Sequence, residues 1–254
     1  MPMMMRTSNP AFGGEPFRPQ YGGAIDVTER MTLRGTVNKT GILLLCAIGT
    51  ATWTWYQFFQ THEMASVAPW MMLGFFGGLI FSLATIFKRT WSPVTAPLYA
   101  LCQGLFLGGI SAVFELRYPG IAFQAICLTF GTLLALLLAY STGLIKATRK
   151  FQIGVMAATG GIALFYLFQM VMGFFHVQFL SVVHGSGLIG IAFSLFVVAI
   201  AALNLVLDFA LIEQGVNSGA PKYMEWYGGF AIMVTLVWLY LEILRLLAKI
   251  NQRR

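Results

Sequence analysis

NLVLDFALIEQG (residues 204–215) and WLYLEILRLL (residues 238–247) each place an acid inside an apolar run. Asp208 and Glu242 are those acids. An ionised carboxylate in hydrocarbon is costly by several kcal/mol, so such groups face the protein interior and usually carry function. The question is whether the runs are membrane spans. The chain has 254 residues, 58% hydrophobic and 10% charged. Soluble domains carry about 25% charged residues. The composition is that of a polytopic membrane protein. The net charge of +7 could suggest a nucleic-acid partner. Lys and Arg cluster instead at the ends of apolar runs, with no basic stripe interleaved with aromatics, and nucleic-acid binding is excluded on that pattern.

A spanning helix needs about 20 apolar residues. Working outward, seven runs qualify, at about 40–60, 66–87, 94–114, 120–145, 152–175, 183–214 and 226–248. Short polar separators predict antiparallel neighbours in one bundle. The expected class is therefore all-α, a seven-helix transmembrane domain over 39–250. Residues 1–38, with Pro10, Pro16, Pro19 and paired glycines, are expected to be a flexible tail, helical at most from about Thr28. No apolar core follows Arg6, so this is not a signal peptide.

Basic residues set orientation. Arg6, Arg18, Arg30, Arg34 and Lys39 precede the first run, Lys88 and Arg89 follow the second, and Lys146, Arg149 and Lys150 follow the fourth. The connections between these hold only Arg117, and the sixth holds Lys222. The alternation predicts a cytoplasmic N-terminus. One conflict stands: seven spans put Arg245, Lys249, Arg253 and Arg254 outside. Either the early charges dominate or the last segment is a partial, re-entrant helix.

Small residues recur at four-residue spacing in Gly74/Gly78, Gly104/Gly108, Ala157/Gly161 and Ser186/Gly190, and are read as helix packing. Cys46, Cys102 and Cys127 lie in apolar runs without metal spacing. His62-Glu63 lacks the second histidine of a HExxH zinc site, and the serine of His184-Gly185-Ser186-Gly187 lacks GxSxG spacing. His176 and His184 read as interfacial residues. No enzymatic activity is expected, and no cofactor or resident metal.

The acids admit two readings. Asp208 and Glu242 could approach each other, share a proton and change state with pH. Deprotonated, their oxygens suit a hard cation such as Ca²⁺. Alternatively Glu242 pairs locally with Arg245, three residues on, while Asp208 and Glu213 lie near the membrane boundary. Depth favours separation: Asp208 lies ~10 Å inside a helix end near Gly215, and Glu242 ~22 Å beyond a start near Tyr227. Asn204, one turn before Asp208, could serve the carboxylate or a neighbouring helix. Gln103 is a third polar group at mid-span.

Residues 219–247, GAPKYMEWYGGFAIMVTLVWLYLEILRLL, together with NLVLDFALIEQG, resemble the Bax-inhibitor family in its bacterial, YccA-like branch. SNPAF (8–12), VNKTGILLL (37–45) and APLYALCQGLFLGGISAVFE (96–115) support the same branch. The resemblance implies six helices around a central seventh, in a bacterial inner membrane. It also implies a pH-sensitive calcium (cation) leak gated by acids on the sixth and seventh helices. Asp208 matches the sixth-helix aspartate. Glu242 stands where the family commonly has Asp, one methylene shorter. A second-helix arginine that partners the aspartate falls at Lys88 or Arg89. Gln103 stands where many members have an acid. Arg245 and Asn204 complete the candidate set. The competing reading is a membrane scaffold that binds other membrane proteins or proteases under stress.

Overall fold

The computed structural model describes residues 29–174, 185 and 187–253. His176, His184 and Ser186 lie outside the described residues, as does most of the expected tail. Seven long helices follow in order: α1 (Leu33–Thr61), α2 (Met64–Phe87), α3 (Ser92–Arg117), α4 (Ile121–Ser141), α5 (Arg149–Phe174), α6 (Leu188–Asn217) and α7 (Met224–Gln252), with a single 3₁₀ turn, Arg89–Trp91, between α2 and α3. Each is long and apolar enough to cross a membrane. Only helices and closed barrels satisfy every backbone polar group in lipid, so the apolar runs and the helices had to coincide.

Local chemistry sets the helix ends. The Thr32 side chain caps α1 by accepting from Gly35 N–H. His62 ends that helix in the left-handed region, at φ 53°. Pro93 sits in the first turn of α3, where its missing N–H is harmless. The Glu115 carboxylate accepts the N–H groups of Gly120 and Ala122, at 2.6 and 3.0 Å, and so closes the start of α4.

α7 is the hub. It packs against α1, α3, α4 and α6. Tyr227, Phe230, Met233, Leu239 and Leu244 on it are fully buried. α6 and α7 are mostly enclosed, whereas α2, α4 and α5 show apolar surface such as Phe76, Ile80, Leu138 and Leu164. Exposed apolar surface of that extent suits lipid rather than water. α3 meets α1 and α2 at backbone distance. A Cβ on Gly104 or Gly108 would overlap the Ala47 and Ala51 carbonyls of α1, and one on Gly74 would meet the backbone of α3. Gly161 has open space around it, so the Ala157/Gly161 pair marks no such seam.

Three results refine the expectations. Within the expected tail, helical at most from about Thr28, α1 begins at Leu33, and Met31 and Thr36 are buried. Residues 29–32 dock on the α6–α7 connection: Met31 N–H donates to Ala220 O at 2.7 Å, and Lys222 N–H to Glu29 O at 2.8 Å. The re-entrant alternative also falls. α7 runs unbroken for 29 residues, ~43 Å at 1.5 Å per residue. Finally, the start of α1, the α2–α3 turn and the α6–α7 connection gather at one end. Ser92 Oγ donates to Tyr223 O at 2.9 Å, joining the last two. The end of α7 lies with the start of α6, where Lys249 Nζ donates to Gly190 O at 3.1 Å. These contacts place the two ends of α7 at opposite ends of the bundle.

Candidate functional site

Asp208 sits on α6, fully buried at 0% exposure. Thr235 of α7 donates its hydroxyl to Asp208 Oδ2 at 2.6 Å. Thr235 is a β-branched residue with no helix propensity to recommend it; its value is a hydroxyl at depth. One turn before Asp208, the Asn204 amide reaches the other way. It donates to Thr159 Oγ1 of α5 at 2.8 Å and to Ile200 O of its own helix at 2.9 Å. Two residues one turn apart on α6 thus reach different neighbours, Asn204 to α5 and Asp208 to α7.

Glu242, 2% exposed, occupies a second network. Nη1 of Arg245 donates to both carboxylate oxygens, at 2.9 and 3.0 Å. The Tyr166 hydroxyl of α5 donates to Glu242 Oε1 at 3.0 Å and accepts from Arg245 Nη1 at 2.9 Å. The guanidinium also lies 5.5 Å from the Tyr166 ring centre, within cation–π range. Three groups therefore close a triangle between α5 and α7.

No hydrogen bond joins Glu242 to Asp208; its bonds go to Tyr166 and Arg245. Thr235, the partner of Asp208, is seven residues from Glu242, or ~10 Å along α7. The two carboxylates thus occupy separate hydrogen-bond networks. The depth difference visible in the sequence is real, and neither tilt nor a break removes it. The local pairing of Glu242 with Arg245 is present. Asp208, however, is enclosed rather than at the boundary, while Glu213 is exposed and accepts from the Tyr140 hydroxyl.

The sequence model of the Bax inhibitor 1 like family matches residues 8–252, nearly the whole chain. The chain belongs to the Bax inhibitor 1-like family. It is an integral membrane protein of that family. No curated protein and no solved structure matches it. Within this Bax inhibitor 1-like chain, the remaining sequence candidates separate clearly. Lys88 is exposed and stacks 4.5 Å from the Trp91 ring. Arg89 lies 5.7 Å over the Tyr227 ring of α7. Tyr227, Ala231 and Thr235 share one stripe of α7 by i, i+4, i+8 spacing, so Arg89 is the member of the pair on the Asp208 side. Gln103 on α3 lies against Gly78 of α2, where a Cβ would sit 2.7 Å from its Nε2. It packs at the α2–α3 seam and is not among the hydrogen-bond partners of Glu242.

Several polar contacts escape sequence reading. Thr159, Tyr166 and Thr235 are ordinary residues of membrane helices. Only depth marks Tyr166, because a buried tyrosine hydroxyl usually needs a partner. Lys249 is buried, donating also to Ser194 Oγ at 2.8 Å. Its signal was the seven-residue spacing from Glu242. Glu225 is the clearest omission. It reads as the end of a connection, but it is 2% exposed in the first turn of α7. Its Oε1 accepts both the N–H and the hydroxyl of Thr32, at 3.0 and 2.8 Å. A carboxylate thereby meets the positive end of the α1 dipole. Only Gly35 leaves room for it: a Cβ there would overlap the carboxylate. Among the described residues, no three His, Cys, Asp or Glu gather as a metal site.

Proposed function

We propose that this protein is a pH-sensitive leak channel for calcium or a similar cation, with Asp208 and Glu242 as its gate. The observation that carries the reading is the placement of two buried carboxylates on the two most enclosed helices. Each is fastened to a different neighbour, Asp208 to Thr235 across α6–α7, and Glu242 to Tyr166 across α5–α7. Buried acids are expensive to keep and are retained where they act. In this reading the acids are two latches along α7 rather than one shared proton. Proton binding at Glu242 removes the charge that holds Arg245, and proton binding at Asp208 changes its acceptor role towards Thr235. Either event alters what holds α7 to its neighbours. Deprotonated carboxylates at two depths also supply successive oxygen sites for a passing cation, which is cargo rather than a resident ligand. The proposal includes a cytoplasmic N-terminus in a bacterial inner membrane and no enzymatic step.

Cation flux from the purified chain in liposomes tests this. Flux that varies between about pH 6 and 8, and loses that variation in Asp208→Asn or Glu242→Gln, supports the gate. A chain that conducts nothing at any pH ends it. A scaffold for other membrane proteins then becomes the better reading. One feature favours that alternative: α5 packs chiefly on α6 and leaves Leu164, Leu167 and Met170 outward. A scaffold would conduct nothing, whatever its acids do.

A further inference from the structure

α1 and α4 both pack on α7 or α6 but leave a seam between themselves. Two cavities fill it. One, of about 410 Å³, lies between the later half of α1 and the start of α4, floored by Met233, Leu236 and Tyr240 of α7. The other, of about 660 Å³, lies between the first half of α1 and the end of α4, floored by Phe209 and Ile212 of α6. Leu44 borders both. From Leu33 to Trp55 the seam follows α1 for ~33 Å, close to the ~30 Å hydrocarbon thickness of a bilayer.

The walls are almost wholly apolar, but the end at the larger cavity is not. Lys146 lines that cavity and is exposed. Arg34, beside the lining residue Leu33, is exposed too, as are Arg149 and Lys150 at the start of α5. One acid, Glu213, also lines the wall and accepts from the Tyr140 hydroxyl, but Lys146, Arg34, Arg149 and Lys150 outnumber it at that end. The mouth is thus basic and the interior is hydrocarbon-like. Basic pockets between membrane helices are the form that anionic headgroup sites take.

We propose that this seam is a binding site for an anionic phospholipid, with an acyl chain in the larger cavity and the phosphate on Lys146. The chain length available and the charge at the mouth select this occupant. An apolar segment of another protein would match the walls but leave the basic mouth without a partner. Gly41 gives direct access to the cavity. It borders the space, and a Cβ built on it meets nothing within 4 Å. A leucine there begins in open space at its Cβ, beside the cavity, and favours the helix over glycine.

Native mass spectrometry of the full chain, released from detergent containing equal phosphatidylglycerol and phosphatidylcholine, reads lipid class and oligomeric state together. The parent is expected to retain phosphatidylglycerol in preference. Lys146→Gln, an exposed change with no fold at risk, should lower that preference about fivefold while leaving phosphatidylcholine retention unchanged. Gly41→Leu should lose the retained lipid of both classes while melting no lower than the parent. Equal retention of the two lipids by the parent overturns the anionic site. Undiminished phosphatidylglycerol in Gly41→Leu overturns the cavity assignment. A parent dimer that Gly41→Leu converts to monomer would show a second copy in the seam, and overturns the lipid proposal.

Discussion

Removing Arg245 should make Asp208 and Glu242 feel each other. Two ionised carboxylates ~10 Å apart at an effective dielectric near 20 repel by about 1.6 kcal/mol. The parent protein hides this, because the Arg245 guanidinium sits 2.9 Å from Glu242 and makes that site nearly neutral as seen from Asp208. In the parent, Asp208→Asn should therefore relieve almost no repulsion, because the opposed charges of Glu242 and Arg245 nearly cancel at Asp208. In an Arg245→Gln background the same change should cost about 1–1.5 kcal/mol less than it does in the parent. The sign is that of a repulsion which Asp208→Asn removes once Arg245 no longer offsets Glu242. Arg245 is itself 48% exposed, so its own pairing is worth less than a fully buried ion pair. Removing it should destabilise by about 1–3 kcal/mol, below the 3–5 kcal/mol typical of a broken buried pair. Reversible unfolding in mixed micelles, followed by tryptophan fluorescence above pH 7.5, compares the parent with Asp208→Asn, Arg245→Gln and the double variant. A cost of Asp208→Asn that differs by less than about 0.5 kcal/mol between the two backgrounds would show that the charges are not held at this separation, and refutes the two-latch geometry.

Three further outcomes follow from other contacts. Gly35→Ala should destabilise the parent by about 1–3 kcal/mol by displacing the Glu225 carboxylate from Thr32, yet in a Glu225→Ala background it should stabilise by up to about 1 kcal/mol through helix propensity; denaturation of the four proteins reads the change of sign. Gly108→Val should lower stability by at least about 3 kcal/mol, or block insertion, because the new side chain meets the α1 backbone at Ala51 rather than a movable side chain; gel-filtration recovery and unfolding measure it. Single cysteines at residues 62 and 222 should label from opposite faces of sealed vesicles, residue 222 from the side of the N-terminus; labelling from one face would contradict complete crossing by α1 to α6.

The seven spans were legible because lipid leaves the backbone no other choice. A run of about 20 apolar residues must be helical, and its limits follow to within a few positions. Both acids were legible for the same reason, since Asp or Glu at that depth stands out by type. Their partners were not. Thr235, Thr159 and Tyr166 become special only when α5, α6 and α7 are brought side by side, and helix adjacency is not written in hydropathy. Glu225 was lost for the opposite reason. It lies among Pro221, Lys222 and Tyr223, which read as a loop, and it acquires meaning only from the start of α1, 193 residues away. The docking of residues 29–32 is hidden for the same reason. Glycine and proline content described the early tail, but Met31 and Thr32 answer to a connection far along the chain.

The basic residues at the end of α7 illustrate how such placement changes a rule. Counted along the sequence, Arg245, Lys249, Arg253 and Arg254 oppose a cytoplasmic N-terminus. The rule concerns residues near span ends that stay with the aqueous side. Arg245 is committed to Glu242 and Tyr166, and Lys249 is buried against Gly190 O and Ser194 Oγ. Both act as internal fasteners, tying α7 to α5 and to the start of α6. The Lys and Arg residues that remain free to set orientation at that end reduce to the last few positions and Arg117. The opposite end carries Arg34, Lys88, Lys146, Arg149 and Lys150. The conflict that invited a re-entrant helix therefore dissolves without breaking α7. The same two fasteners place a positive charge one and two turns beyond Glu242 on the hub helix, so any motion that frees Glu242 must also strain the hold of α7 on α6.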